Sequence, residues 1–473
     1  MSKAYLFLAL LFFAFKGHAQ VLKSDNEDLN EAFKLAVNTV DINTRRGILA
    51  AGGDYGGEWV RDISINSWNC VSLIRPAVAE KSLWSVTVNK DSIGQQYWDK
   101  MIWAIAALNH YRVTGDKVFL QQAYRCSVNT IKSLENYAFD KQYGLFTGPS
   151  VFNDGIAAYP APIYDSTNRS SGVLAHKNSR YIKCLSTNCI YYGAYLAIAE
   201  MNKIVGAGKD AEDEYLSKAK KLKANILKNF YDPAQNKLYY LVDNTGTVNK
   251  SQEALGLSFA VIFDIVDKDA AQKIIANAKT SGYGITSIYP DFPRYSMKTP
   301  GRHNNIIWPM VTGFFAEAAI KTGNKQLFEN QLNSLTHMAL DPDKGNFNFR
   351  EVYNPYTGKP DGGWQANNTP GEFHWASLNN QTWSATAYIN MVLNGILGLK
   401  VENNHLALAP YLPGFIHNLV ITDLKYHEAT ISVHLIGKGS TVSYCKINGK
   451  KVKNILIGED SKGAQDIIVY LKN

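Results

Sequence analysis

Apolar residues recur at helical spacing through most of the chain, and each recurrence ends in a similar stop. Trp103-Ala104-Ile105-Ala106-Ala107-Leu108 leads into Thr114-Gly115-Asp116-Lys117, after which a second helical pattern starts at Val118. Phe314-Phe315-Ala316-Glu317-Ala318-Ala319 leads in the same way into Thr322-Gly323-Asn324-Lys325. The segment 192–204 runs into Gly206-Ala207-Gly208-Lys209 and a Lys-rich helix up to Asn229. The segment 259–266 turns at Asp267-Lys268-Asp269 and continues to Ala278. Each unit is a helix, a Gly- or Asp-rich stop and a returning helix.

The units repeat at roughly 55 to 60 residues, too long and irregular for a short-repeat solenoid. A helical hairpin cannot bury its apolar face alone, so successive hairpins must pack on one another. Residues 30–399 hold about six such pairs, which predicts an all-α (α/α)6 toroid. Beyond Leu399 the pattern changes to short alternating runs, among them Thr430-Ile431-Ser432-Val433-His434-Leu435 and Ile467-Ile468-Val469-Tyr470, with Asn448-Gly449 as a hairpin signal. The expected division is a catalytic domain over 20–400 and a small C-terminal β-sandwich over 401–473. A chain of 473 residues is long enough for both.

Residues 1–19 read as an address. Lys3 precedes an apolar stretch over 4–15, and Gly17-His18-Ala19 offers a small-x-small cleavage site before Gln20. This is the pattern of a signal peptide, too short for a membrane anchor, and it predicts export to the periplasm or the exterior with no anchor after cleavage. The formal charge of +8 is spread over many short segments without a basic run, which argues against a nucleic-acid partner. The cysteines Cys70, Cys126, Cys184, Cys189 and Cys445 are odd in number and sparse, so buried thiols are expected rather than a disulfide framework. None has the partner spacing of a metal site.

The candidate chemistry lies where helices stop. Glu58-Trp59-Val60-Arg61-Asp62 and Gln96-Tyr97-Trp98-Asp99-Lys100 each join an aromatic ring to a carboxylate, a combination that stacks on sugar faces and grips hydroxyls. Gly148-Pro149-Ser150-Val151-Phe152-Asn153-Asp154-Gly155 opens a long excursion, and apolar Phe152 and Ile156 beside Asp154 would raise its pKa and keep it protonated. The densest segment runs over 348–358, where Arg350 beside Glu351 would keep that carboxylate ionised, and continues through Gly362-Gly363-Trp364-Gln365 to Gln381-Thr382-Trp383-Ser384. One protonated and one ionised carboxyl meet the needs of acetal hydrolysis. An inverting enzyme sets them roughly 6.5–9.5 Å apart, a retaining one about 5 Å. Asp154 and Glu351 are the expected pair, with Glu58 as reserve acid and Glu372 as reserve base. Such chemistry uses side chains and water, so no nucleotide or redox cofactor is implied, and no metal ligands are assigned.

With these motifs in place, the chain resembles the six-hairpin inverting glycosidases: trehalase, processing α-glucosidase I, the amylo-1,6-glucosidase branch and, more distantly, the α-L-rhamnosidases. Glu351-Val352-Tyr353-Asn354-Pro355-Tyr356-Thr357-Gly358 is similar to the family's Glu-x-Tyr-(Asn/Asp)-Pro-x-Thr-Gly segment. Arg302-His303-Asn304-Asn305-Ile306-Ile307-Trp308-Pro309 resembles its sugar-binding stretch ending in Trp-Pro, and Gln381-Thr382-Trp383-Ser384-Ala385 the start of its last barrel helix. Leu408-Ala409-Pro410-Tyr411-Leu412-Pro413 resembles the entry to its C-terminal sandwich. The resemblance implies Glu351 as base and Asp154 as acid. It places Trp59, Arg61, Asp62, Trp98, Asp99, Arg302, Trp308, Gln381 and Trp383 against the sugar, and implies an α-linked glycoside or oligosaccharide as substrate, α-glucosidase-like in kind. Two rivals remain from the residues alone. One is a polysaccharide lyase using His303 with Arg302 on a uronate polymer; the other is a catalytically silent glycan-binding protein.

Overall fold

The computed structural model describes residues 20–156, 159–366, 372–402 and 404–473, so the expected signal peptide lies outside the described residues. The body is helical and the C-terminal region holds a large sheet. The helices that form it are α1 (Glu27–Ile42), α2 (60–74, π-helical at Ser67–Val71), α3 (Pro76–Ser85), α4 (Ile102–Thr114), α5 (Lys117–Tyr137), α6 (Leu185–Val205), α7 (Lys209–Phe230), α8 (Ala254–Ile262), α9 (Lys268–Asn277), α10 (Pro309–Lys321), α11 (Lys325–Leu340) and α12 (382–396, π-helical at Met391–Ile396).

The two alternating sets differ in how they are buried. In α7 only Tyr215, Ala219, Leu222, Ile226 and Phe230 are buried, a single stripe at helical spacing. In α6 sixteen residues are buried, and the helix is apolar nearly all round. An amphipathic helix suits an outer layer and an apolar one an inner layer. The contacts agree: α2, α4, α6, α8, α10 and α12 touch one another in that order, and α12 returns to α2. Each of α3, α5, α7, α9 and α11 packs on the inner helix before it, and α1 packs on α12.

The stops act as the residues dictate. Gly115, at φ 71°, and Gly206, at φ 70°, end α4 and α6 in the left-handed conformation. The Asp116 side chain then accepts from the backbone N–H groups of Val118 and Phe119, both at 2.9 Å, and starts α5. After α1, α3, α5, α7 and α9 the chain makes a two-residue ladder, such as Phe139–Asp140 with Leu145–Phe146, before entering the next inner helix. The long connections that carry unusual residues therefore all arrive at the N-terminal ends of inner helices.

Nine strands belong to the sheet region: β1 (Leu22–Ser24), β2 (Leu399–Val401), β3 (His405–Leu408), β4 (Asn418–Tyr426), β5 (Glu428–Gly437), β6 (Thr441–Ile447), β7 (Lys450–Lys451), β8 (Leu456–Gly458) and β9 (Lys462–Lys472). The large sheet has the order β1-β4-β5-β9-β6-β7, and a smaller one the order β2-β3-β8. Alternation in β5 buries Ala429, Ile431, Val433 and Leu435 on one face. Asn448 and Gly449, at φ 52° and 77°, form the two-residue turn between β6 and β7. The first strand comes from the opposite end of the chain: Leu22 pairs with Ile421, and the Gln20 amide donates to Ile74 O at 3.2 Å and Asp423 O at 2.9 Å. All five cysteines are free and buried. No helix among the described residues is long and apolar enough to cross a membrane.

Candidate active site

The connections into the inner helices meet at one end of the ring. Gly52 bridges Gln381, joining the segment before α2 to the start of α12. Tyr353 and Ile307 exchange backbone hydrogen bonds at 2.9 and 3.0 Å, joining the Glu351 segment to the approach to α10. The Asp154 loop rests on the start of α6: Val151 N–H donates to Ser186 Oγ at 3.0 Å, and Thr187 Oγ1 to Pro149 O at 2.5 Å. Gly148 opens this loop at φ 132°, where a Cβ would lie 2.7 Å from that of Trp98, so both backbone and space require glycine.

These segments enclose a cavity of about 110 Å³, open to solvent and lined by Ala51, Tyr55, Trp59, Arg61, Asp62, Asp154, Arg302, Trp308, Glu351, Gln381 and Trp383. Asp154 and Glu351, about 200 residues apart in sequence, thus share one cavity. Each is held by its own arginine. Arg61 Nη2 lies 3.4 Å from Asp154 Oδ2, and Arg302 Nη2 donates to Glu351 Oε1. Trp98 and Asp99 stand behind the wall rather than on it: Asp99 is fully buried, 3.7 Å from Arg61. Both guanidinium groups lie over indoles, Arg61 over Trp383 at 5.3 Å and Arg302 over Trp308 at 5.1 Å.

Burial pushes the carboxyls of Asp62 and Asp99 up, to about 6 and about 7, against the opposing pull of Arg61. Asp154 differs from the sequence expectation. Burial would raise its carboxyl, but the hydrogen bond and charge of His303, then Arg61 and Arg302, outweigh it and hold the group well below the usual carboxylate range. Its side chain is 49% exposed to the pocket mouth. The apolar neighbours in sequence, Phe152 and Ile156, are buried, but three basic groups from distant segments dominate. A second expectation also changes. Arg350 turns from Glu351, donating to Gly345 O at 3.1 Å and to Asn379 Oδ1, and Arg302 takes its place.

Three residues take places near the inner-helix starts that the sequence reading did not give them. Tyr55 donates to Glu351 Oε1 at 3.0 Å, and its only signal was a tyrosine between glycine pairs. His303 Nε2 lies 3.0 Å from Asp154 Oδ1. Glu253 stands at the start of α8, the position the other inner helices use for the cavity, but is fully buried and driven up to about 8 by burial, against a hydrogen bond from Ser186 N–H. Glu58 does not line the cavity, and the Glu372 side chain lies outside what the structure describes. Among the described residues no group of three or more His, Cys, Asp or Glu could hold a metal ion.

A helical ring with a β-sheet region and a cup of paired carboxylates, arginines and indoles defines a glycosidase of the six-hairpin kind. Residues 85–384 match the family model described as the mannosylglycerate hydrolase MGH1-like glycoside hydrolase domain. The chain belongs to that family and is a glycoside hydrolase. No curated protein matches it. Solved structures share the fold at low identity. A sialidase gives a TM-score of 0.71 at 14% identity over 94% of this chain and 42% of its own. The GH63 mannosylglycerate hydrolase from Thermus thermophilus, in complex with Tris and D-glycerate, gives 0.57 at 14% over 76% and 99%. The GH78 rhamnosidase of Bacillus sp. GL1 gives 0.58 at 13% over 96% and 44%. The chain thus spans less than half the length of the sialidase and the rhamnosidase.

Proposed function

We propose that this protein is an exported hydrolase of α-linked glycosides, α-glucosidase-like in kind, that works with inversion. The observation that carries the reading is the placement of Asp154 and Glu351 on one cavity, each beside its own arginine. In this reading Asp154 gives a proton to the departing oxygen and Glu351 takes one from the attacking water. Glu351 Oε2 is buried without a protein partner, as a base that accepts from water requires. Trp308 and Trp383 also bury their indole N–H groups without a protein acceptor, which suits sugar hydroxyls. Arg61, Asp62, Gln381 and Trp59 complete the grip on the ring, while Trp98 and Asp99 act from behind Arg61. A closed (α/α)6 toroid over 20–400 with a β-sandwich over 401–473 is the architecture we assign, supported by the ring of inner-helix contacts. The mannosylglycerate hydrolase likeness adds α-mannosides of small acids to the substrates worth testing.

A panel of α-glucosides, α-mannosides and α-rhamnosides, read by proton NMR for the first-formed anomer, tests substrate and stereochemistry together. The expected first product is the β-anomer. Asp154→Asn and Glu351→Gln should each lose about 10²–10⁴-fold in kcat on alkyl glycosides. Loss of under about 10-fold in both ends the assignment. Export is tested separately: the protein recovered from outside the cytoplasm should begin at Gln20, and an intact N-terminus there would refute cleavage.

A further inference from the structure

His303 is built into the wall beside Asp154 at some cost. Its backbone sits at φ 61°, in the left-handed region where side chains other than Asn, Asp and His are seldom found. The ring is 1% exposed, stacked on Trp308 at 5.2 Å and 22°, with Phe152 on another side. Nε2 lies at ion-pair distance, 3.0 Å, from Asp154 Oδ1 without the alignment of a full hydrogen bond, and Nδ1 has no protein partner. Gly155 completes the fit. A Cβ there would stand 2.6 Å from Gln365 Oε1 and 2.9 Å from both Cε1 and Nδ1 of the imidazole, so a side chain at 155 would crowd the ring against Asp154. Strain of this sort persists where surrounding structure enforces it, and it gathers at functional sites.

We propose that His303 is the positioning residue of the acid, holding in reserve the proton that Asp154 delivers to the leaving oxygen and aiming Oδ1 towards it. The inference rests on Asp154 being the acid. On the acid side of the depressed imidazole pKa, the pair in the open cavity rests as imidazolium and carboxylate, and Arg61 and Arg302 favour the ionised carboxylate. When a sugar ring displaces water, the local dielectric falls and separated charges become unfavourable. The proton then moves from His303 Nε2 to Asp154 Oδ1, leaving a neutral acid beside a neutral imidazole. Asp154 protonates the glycosidic oxygen as the C–O bond breaks. Water attacks the anomeric carbon and gives its proton to Glu351. Release of that proton to solvent and uptake of one by His303 restore the starting state, so the cycle balances as one water consumed per bond.

The groups facing this pair are Arg61 and Asp62 from α2, Asp99 before α4, Arg302 before α10, and Tyr55 and Glu351 across the cavity. Burial lowers the imidazole below its ordinary value, Asp154 raises it, and Arg302 and Arg61 lower it further, with a net depression. The basic limb of the wild-type pH profile therefore falls on the acid side of an ordinary histidine.

The test uses the full mature chain with methyl and 2,4-dinitrophenyl α-glycosides of whichever sugar it turns over. A methoxide leaving group needs a proton, and dinitrophenolate does not. His303→Asn suits the left-handed backbone. It should lower kcat on the methyl glycoside about 10²-fold, stay within about 3-fold on the dinitrophenyl glycoside, and move the basic limb to lower pH. Equal losses on both substrates, or an unmoved limb, would overturn the proposal. If His303→Asn fails to fold, His303→Gln carries the same pair of measurements. Asp154→Asn separates the two ideas. If it shows no leaving-group dependence, Asp154 is not the acid. If it does and the His303 variants do not, the positioning role alone is wrong.

Discussion

Glu253 offers the sharpest test of the electrostatics, because a carboxyl with no basic partner is buried inside the helical ring. Its side chain is fully buried, Oε2 accepts from Ser186 N–H at 3.1 Å, and Oε1 has no protein partner. The titratable groups around it are Cys184, Cys189 and Tyr240, none of which carries a positive charge. Burial raises the carboxyl from 4.5 to about 8, so the folded chain keeps a proton that the unfolded chain releases above pH 4.5. The unfolded state then binds fewer protons, and stability must fall as pH rises from about 4.5 to about 8. At 1.36 kcal/mol per pH unit that span sets a ceiling of about 5 kcal/mol, which water entry and relaxation reduce to about 2–5 kcal/mol. Glu253→Gln removes the titration but leaves a buried amide short of partners, costing about 1–3 kcal/mol at every pH. The variant should therefore be less stable than wild type at pH 5 and overtake it, or nearly so, by pH 8.5. Thermal melts of both proteins across that range measure the crossing, at on the order of 1–2 °C per kcal/mol for a chain this long. Parallel curves would show that Glu253 is not a buried, unpaired acid.

Arg61→Met should destabilise the fold by about 3–5 kcal/mol, because it strands Asp62 and Asp99 without their cation; a melting temperature unchanged at pH 8 would refute this. Gly313→Ala should cost about 1–3 kcal/mol, since a Cβ there meets that of Ala387 at 2.7 Å where α10 crosses α12. The double variant with Ala387→Gly should recover most of the loss in a denaturant melt, and additive losses would deny the contact. Tyr55→Phe should lower kcat on methyl glycosides by about 3–10-fold with little change in melting temperature, since Tyr55 loses only one hydrogen bond, to Glu351. A loss as large as that of Glu351→Gln would instead make Tyr55 part of the reacting set.

Helix period, glycine stops and the Asn448-Gly449 turn are local signals, and the structure repeats them nearly residue for residue. The α8 boundary shows the limit. The apolar run over 259–266 suggested a helix, whereas α8 begins at Ala254 and ends before Asp264, which turns at φ 54°. That Asp154 and Glu351 line one cavity was readable from motif likeness, but the charges acting on them were not. Arg350 is adjacent to Glu351 in sequence and turns to Asn379, while Arg302, 49 residues away, makes the ion pair. The same blindness to distant partners gave Asp154 the wrong direction of pKa shift. Strand β1 escaped notice because three residues pair only with a strand some 400 positions later.

That late pairing bears on the order in which the molecule is assembled. During synthesis, residues 22–24 emerge some 400 positions before their hydrogen-bonding edge at 419–421 exists. Helical hairpins can stack as they appear, whereas joining 22–24 to 419–421 must come after the hairpins between them. A version cut after residue 400 would present the helical body with its opening segment unmoored, prone to proteolysis from that end inward.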